Sequence, residues 1–405
     1  MALASSSVVQ VLVIPEVTFG VIPVAGNPRN MRVTGESLDF AVTKEQSKEI
    51  NNTRTITSVV PVTAAASGGI QAELSYQEYD ILMAATLQSA WTVFGTNGVG
   101  AASTIDFTTT TLTASVATSG ASIWTNLQRG QWFRVGGTAG TNLGKILRVS
   151  PTTSPTTTVI TLDVSTPAVA ASAVAGVTLA TSRLTHGTTQ SSFTIERQSS
   201  DIGQFMAYAG MTPSKMEITE SSGALSSINF DFMGKDMTMA AATNLPGTPV
   251  ASYNFDIHSG VAGATCQLWE GGAPITGTFV KSVSMAFDNS LRSQEAICTL
   301  GAVSIGAGTI QVSGNLSVYF ANAVLFNKFK ANTNSSIIFS SVDNVGNGYV
   351  FTIPVANIST WKTNAGGKDA DLMVDIQYIG LRDASNAITA LQRAIFIDRV
   401  GVATT

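Results

Sequence analysis

Three stretches decide the fold: Ser37-Leu38-Asp39-Phe40-Ala41-Val42, the charged run from Lys44 to Arg54, and Ile70-Gln71-Ala72-Glu73-Leu74 leading into Ser75-Tyr76-Gln77-Glu78. Apolar side chains at every second position mark half-buried strands, so the expected order is strand, long loop, strand and helix. Ser75 and Glu78 have the spacing of a capping box, in which a hydroxyl and a carboxylate exchange hydrogen bonds with the free amides of a helix start. Leu74 and Tyr79 stand at staple spacing. Tyr79, Leu82, Met83, Thr86 and Ala90 then follow one helix face, and Trp91 closes the segment before Gly95. Such a helix packs on a sheet.

A similar order recurs toward the other end. Val283, Met285 and Phe287 alternate, Asp288 to Glu295 is polar, and Ile310-Gln311-Val312 runs through Leu316 into an apolar segment ending at Phe329. Gly69-Ile70-Gln71 and Thr309-Ile310-Gln311 mark equivalent points. A chain of 405 residues has room for two or three domains. The expected organisation is an extended arm over 1–30, a β-sandwich core over 31–95 and 190–405, and a Thr/Ser/Gly-rich inserted β domain over 96–189. Within the core, two related strand-loop-strand-helix units lie near 36–91 and 281–330.

In the arm Val9, Val11 and Val13 alternate, while Pro15, Pro23 and Pro28 block regular structure. In the 96–189 segment, strands are expected at Trp132 to Val135, Ile146 to Val149 and Val159 to Leu162. A disordered linker is the alternative, against which the Trp, Phe and Val side chains count, because they give the segment something to bury. Further on, a strand at Phe193 and Ile195, a short helix from Asp201 to Ala209, and strands through Met216, Ile218, Ile228, Phe230 and Phe232 are expected. Later strands are expected at Ile337 to Phe339, Tyr349 to Val355, Leu372 to Ile379 and Ala394 to Val400. The fold class is mainly β with one or two flanking helices.

Only 12% of the residues are charged, about half the usual share of roughly 25%, and the formal net charge is −4. A surface so poor in charge is weakly protected against association, which points to self-assembly or, alternatively, to a secreted β-protein. Lys and Arg are scattered, which argues against tight nucleic-acid binding. The N-terminus reads as no signal peptide, and no window approaches the roughly 20 apolar residues of a membrane helix. Cys266 and Cys298 either pair or remain free buried thiols.

His186 and His258, the only histidines, read as solvated turn residues; with the two cysteines they make no metal-ligand spacing. No Gly-x-Ser-x-Gly elbow occurs. Gly140-Thr141-Asn142-Leu143-Gly144-Lys145-Ile146 fails the phosphate-loop pattern at Ala139 and Ile146 and reads as a turn with a surface lysine. Asp343 to Gly348 lacks the glutamate that completes a calcium loop and reads as a hairpin turn, with Asn347-Gly348 supplying the positive φ angles. No catalytic residue, cofactor or metal is expected. The loop residues Lys44, Glu45, Lys48, Glu49 and Arg54 remain either a binding surface or a solvated hairpin.

In their order, several segments resemble the tail tube proteins of long-tailed bacteriophages. These are Glu16 to Pro23, Glu36-Ser37-Leu38 with Ser47 to Ile50 and Arg54, Ser67 to Ile70 with Glu73 to Tyr76, Leu82 to Leu87, Phe193 to Arg197, Gly210-Met211-Thr212 and Phe232 to Lys235. The resemblance covers 16–91 and 190–239, and the C-terminal unit more loosely; the 96–189 stretch departs from the shortest members. It implies a non-enzymatic virion protein with a flanked β-sandwich, whose copies join sideways into rings, usually six-fold, that stack into a hollow tube. It also implies that the loop bearing Lys44, Glu45, Lys48, Glu49 and Arg54 joins one ring to the next. The implied partners are further copies of the chain, a tape-measure protein, and terminator and tip proteins, with DNA passing through without specific binding. Two units per chain fit either three chains in a pseudo-six-fold ring or six chains in a true one. The rival readings are a capsid decoration or minor tail protein and a secreted carbohydrate-active β-protein.

Overall fold

A computed structural model describes residues 5, 8–94, 103–118, 124–260, 268–275 and 278–401. The main elements are β1 (Gln10–Pro15), β2 (Asp39–Gln46), β3 (Val59–Glu73), α1 (Asp80–Thr86), β4 (Phe193–Ser199), β5 (Gln204–Ser221), β6 (Ser227–Gly234) and β7 (Asp236–Ala240). They continue as β8 (Val280–Asp288), β9 (Gln311–Tyr319), α2 (Val324–Lys330), β10 (Ser335–Val342), β11 (Gly348–Ala365), β12 (Leu372–Leu381) and β13 (Phe396–Val400). The protein is mainly β, as its alternating sequence requires. An antiparallel path runs β2–β3–β6–β5–β8–β9–β12–β11 through both halves of the chain.

The alternation explains why this sheet forms. On β9, Val312, Leu316 and Val318 are buried while Gln311, Ser313 and Asn315 are exposed; on β12, Val374, Ile376 and Tyr378 are buried while Asp375 and Gln377 are exposed. One face therefore joins a single large core that includes Ile70, Ile218, Phe230, Phe287, Leu316 and Ile376, and α1 packs into the same core through Leu82 and Met83. A one-residue slip would turn every one of these side chains to the wrong face, which fixes the register.

Both halves follow one pairing order. In the first, β3 pairs β6, β6 pairs β5 and β5 pairs β4; in the second, β9 pairs β12, β12 pairs β11 and β11 pairs β10. The register shifts fall at matching places: after Phe193/Met211 and Ser335/Ala356, and again between Pro213 and Lys215 and between Ile358 and Thr360. Aligned on these bulges, Ile70 answers to Leu316 and Gly68 to Gly314, and the ends of β3 and β9, at Glu73 and Tyr319, coincide. The sequence phrase Thr309-Ile310-Gln311 is thus not the counterpart of Gly69-Ile70-Gln71. Local likeness misaligned the two, because pairing partners rather than identical residues set the register.

The expected capping box does not form. Residues 77–79 are a turn, α1 begins at Asp80, and its N-cap Tyr79 makes no side-chain cap bond. The buried Glu78 carboxylate instead accepts the backbone N–H of Arg32 (3.0 Å) and of Tyr253 (2.8 Å), pinning two distant loops. The helix stops at Thr86, and Trp91 folds back to donate from Nε1 to the Asp80 carbonyl at 3.0 Å. Burial pushes the Asp80 carboxyl up, with Arg399 opposing; its Oδ1 accepts the Tyr349 hydroxyl at 2.6 Å, and Arg399 pairs with Oδ2. These contacts lock α1 to β11 and β13.

Two further expectations fail. Asp201 to Ala209 is not a helix: Asp201 to Gly203 turn the β4–β5 hairpin, Phe205 to Tyr208 are paired on both edges, by β4 and β7, and Ala209 is paired by β7. Sheet pairing there outweighs local helix preference. Nor is His258 a solvated turn residue; it is fully buried, with Nδ1 hydrogen-bonded to Ser341 Oγ at 3.2 Å. Burial holds its imidazole neutral, with the pKa lowered from 6.5 to about 3. His186, half-buried beside Arg393, is lowered to about 4, and its Nε2 accepts the Ala394 N–H. Below pH 6.5 the unfolded chain takes up protons that the folded chain refuses. Their contribution to stability is therefore complete above pH 6.5 and lost as pH falls toward 3 to 4. The thermal midpoint is expected to drop between pH 6.5 and 4, and to drop less steeply in His258→Asn, as measured by scanning calorimetry across that range.

The N-terminal segment is part of the structure: β1 pairs β4, and Val11 to Ile14 are buried. The middle of the chain has its own core, which includes Ile105, Trp124, Phe133, Leu147, Ile160 and Leu179. It contains a sheet of Val159–Thr161, Thr111–Ala114, Thr104–Phe107 and Ala171–Ala175 in that order. A buried ion pair ties this region to β13: Arg183 donates to both Asp398 oxygens, at 2.7 and 2.6 Å, and Asp398 Oδ2 also accepts the Trp132 N–H at 3.0 Å.

Candidate assembly surfaces

The β2–β3 hairpin projects from the core. Every residue of β2 from Ala41 to Gln46 is exposed, and so are Val59 to Val62 at the start of β3 except for partial cover at the base. The tip is ordered by Asn51, whose Oδ1 accepts from Thr53 and whose Nδ2 donates to the Thr55 carbonyl at 2.6 Å; Ser47 N–H donates to Ser58 O at 2.9 Å. Lys44, Glu45, Lys48, Glu49 and Arg54 all lie exposed on this arm. Glu49 accepts the Thr57 hydroxyl at 3.0 Å, and among the described residues none of the five forms an ion pair. Between the charges stand exposed apolar side chains: Ile50 is 99% exposed, Ile56 59% and Val60 55%. The arm thus exposes charges without ion-pair partners among the described residues together with unburied β-branched side chains.

The loop of the β8–β9 hairpin has a different fate. It contains the small hairpin Arg292–Gln294 with Ser304–Gly306, and its Leu300 carbonyl accepts the Ala64 N–H at 2.8 Å, so it lies against β3. Cys298 is in this loop and is exposed, not buried as expected; Cys266 lies outside the described residues.

The second surface is the polar face of the through-running sheet. Thr219, Ser284, Asn315, Gln377 and Thr360 form one row across five strands, and Ser282, Ser317, Asp375 and Lys362 form the next. They line a broad concavity of about 730 Å³. Among the described strand residues, the charges on this face are the carboxylates of Glu73, Glu217, Asp231, Asp288, Asp375 and Asp39 against Lys215 and Lys362, and Lys215 is already paired with Glu217 at 2.9 Å. The rest is hydroxyl and amide. Sequence reasoning found the strands but not this surface; its signal was the polar half of each alternating strand, legible only once pairing places the strands side by side.

The remaining sequence candidates are structural. Gly140–Asn142 is a single 3-10 turn followed by a half-buried Lys145. Asp343 to Asn347 close the β10–β11 hairpin, with Asp343 Oδ1 accepting the amides of Val345 and Asn347, and the positive φ belongs to Gly346 (+84°), not to Asn347-Gly348. No helix among the described residues is long and apolar enough to cross a membrane.

No curated protein matches the chain. The family model described as phage tail tube protein matches residues 6–380, nearly the whole length, including both halves of the through-running sheet and both hairpins. With that match over a mainly β structure, the chain belongs to the phage tail tube protein family and is a structural protein of a bacteriophage tail.

Proposed function

We propose that this protein is the major subunit of a tail tube, a non-enzymatic protein whose copies close into rings and stack into the conduit through which the genome leaves the virion. The observation that carries this reading is the sheet with one face in the core and the other polar, concave and predominantly acidic. A channel wall for DNA must avoid phosphate contacts, because each Lys or Arg contact adds salt-sensitive affinity and friction. Six carboxylates against two lysines, one already paired, meet that need. The tape-measure protein would occupy the same lumen during assembly in the host cytoplasm, and terminator and tip proteins would cap the ends.

The projecting β2–β3 arm is the proposed contact between stacked rings. Its alternating charges suit the setting of rotational register by complementary pairs, and its apolar residues supply burial. Purified protein is expected to form rings or tubes visible by negative-stain electron microscopy; a strictly monomeric species at high concentration would overturn the reading. Reversing Lys48 and Arg54 to glutamate is expected to leave rings intact while shortening or abolishing tubes, measured as tube length on micrographs.

A further inference from the structure

We propose that the chain carries a template of its own lateral contact. The β5–β8 junction that joins its two halves is repeated between molecules, by the outer edge of β11 on one copy and the outer edge of β2 on the next. This rests on the tail-tube reading and specifies which strands meet, and in what register.

The two halves are two copies of one unit. Each runs hairpin, short helix, then three consecutive antiparallel strands, with both bulges at matching positions. In the first unit, the last stretch of β5 has β6 on one edge and, on the other, β8 of the second unit, with Lys215 opposite Asp288, Met216 opposite Phe287 and Glu217 opposite Ala286. The corresponding stretch of β11, Thr360 to Ala365, has β12 on one edge. Its other edge has no strand partner among the described residues. Likewise β8 is flanked by β9 and β5, whereas its counterpart β2 pairs, among the described residues, only with β3. One half of each junction is thus present at each end of the sheet. Unpaired edges of this kind template strand addition, and a head-to-tail contact that closes generates a ring.

Transferring the internal register fixes the partners. Phe40 occupies the place of Phe287, and Trp361 that of Met216, so Trp361 faces Phe40 of the next copy; both are half-buried side chains leaning on the core. Thr360 then faces Ala41, and Lys362 faces Asp39. Lys362 and Asp39 are exposed, carry opposite charge, and take part in no ion pair among the described residues. Opposite charges directly across a ladder are favourable and like charges are not. The ladder stops at Asp39, because the Leu38 carbonyl already accepts from Arg197 (2.7 Å) and Tyr208 (3.2 Å).

The test uses the full chain. Asp39→Lys and Lys362→Asp are each expected to raise the concentration needed for assembly about fivefold or more, measured by sedimentation, with the melting temperature of the dispersed protein unchanged. The double reversal is expected to restore assembly. A chain carrying Ala41→Cys and Thr360→Cys, whose opposed Cα atoms fall within disulfide reach, is expected to cross-link head to tail into closed covalent rings under oxidation. Each single-cysteine variant and the unmodified chain, with its own Cys266 and Cys298, should not. Tubes that assemble normally but show neither cross-link nor charge rescue overturn this proposal and leave the tail-tube reading standing. Failure of the unmodified chain to assemble at all overturns both.

Discussion

Asp398→Ala is expected to be among the most destabilising single changes in this protein, at about 3–5 kcal/mol. The reason is what it strands. Arg183 is 3% exposed and Asp398 0%, and they meet through two parallel hydrogen bonds. Removing the carboxylate leaves a guanidinium that cannot shed its charge in a region with little water, together with an unsatisfied Trp132 N–H. The carbonyls of Gly130 and Arg129, at 3.0 and 3.2 Å from the guanidinium, satisfy donors without neutralising charge. Because the pair joins the middle region to β13, the loss should first appear as proteolytic sensitivity of residues 104–185. Chemical denaturation followed by limited proteolysis measures both. Arg183→Met with Asp398→Leu removes charge and countercharge together and should recover much of the loss; if the double variant is no better than Asp398→Ala, the stranded-charge account fails.

Gly314→Val is expected to abolish soluble native protein. A Cβ at Gly314 would stand 2.1 Å from the Ser284 carbonyl and 2.3 Å from the Tyr378 hydroxyl, which itself donates to that carbonyl at 2.8 Å. Neither neighbour can yield, since Ser284 is backbone in the middle of β8 and Tyr378 is fully buried. Strand β9 would have to leave the ladder on both sides, which disrupts the path linking the two halves. Overpacking of a well-fitted core commonly costs about 1–3 kcal/mol, and a backbone clash at a central strand exceeds that range. Ser313→Val, one residue away with its side chain exposed, should be tolerated. Comparing the soluble yield and circular dichroism of the two variants separates the clash from a general intolerance of β9 to valine.

What was legible in the sequence was what period and composition determine. Alternation at Leu38 and Phe40, at Val283, Met285 and Phe287, and from Leu372 to Tyr378 gave strands and a mainly β class, because a residue's face on a strand depends only on its position. The ordered segments from Glu16 to Lys235 were enough to point to the family. Local signals failed wherever tertiary partners compete for the same groups. Glu78 had the spacing to cap α1, but its carboxylate found two loop amides at 2.8 and 3.0 Å instead. Asp201 to Ala209 had a helical look, but Phe205 to Tyr208 gained more from ladders on both edges. His258 sat among small loop residues in the sequence, and only the folded chain buried it against Ser341.

By itself, then, the sequence determined most of the strands, the low-charge surface, the exposed character of the Lys44 to Arg54 run and the family. Only the tertiary structure decided that β5 of one half pairs with β8 of the other, that the polar sides of five strands line one concavity, and that β2 and the end of β11 have an edge without a strand partner among the described residues. The physical reason is range. Period and propensity act over a few neighbouring residues, whereas strand pairing is set by burying a common face between segments far apart in the chain.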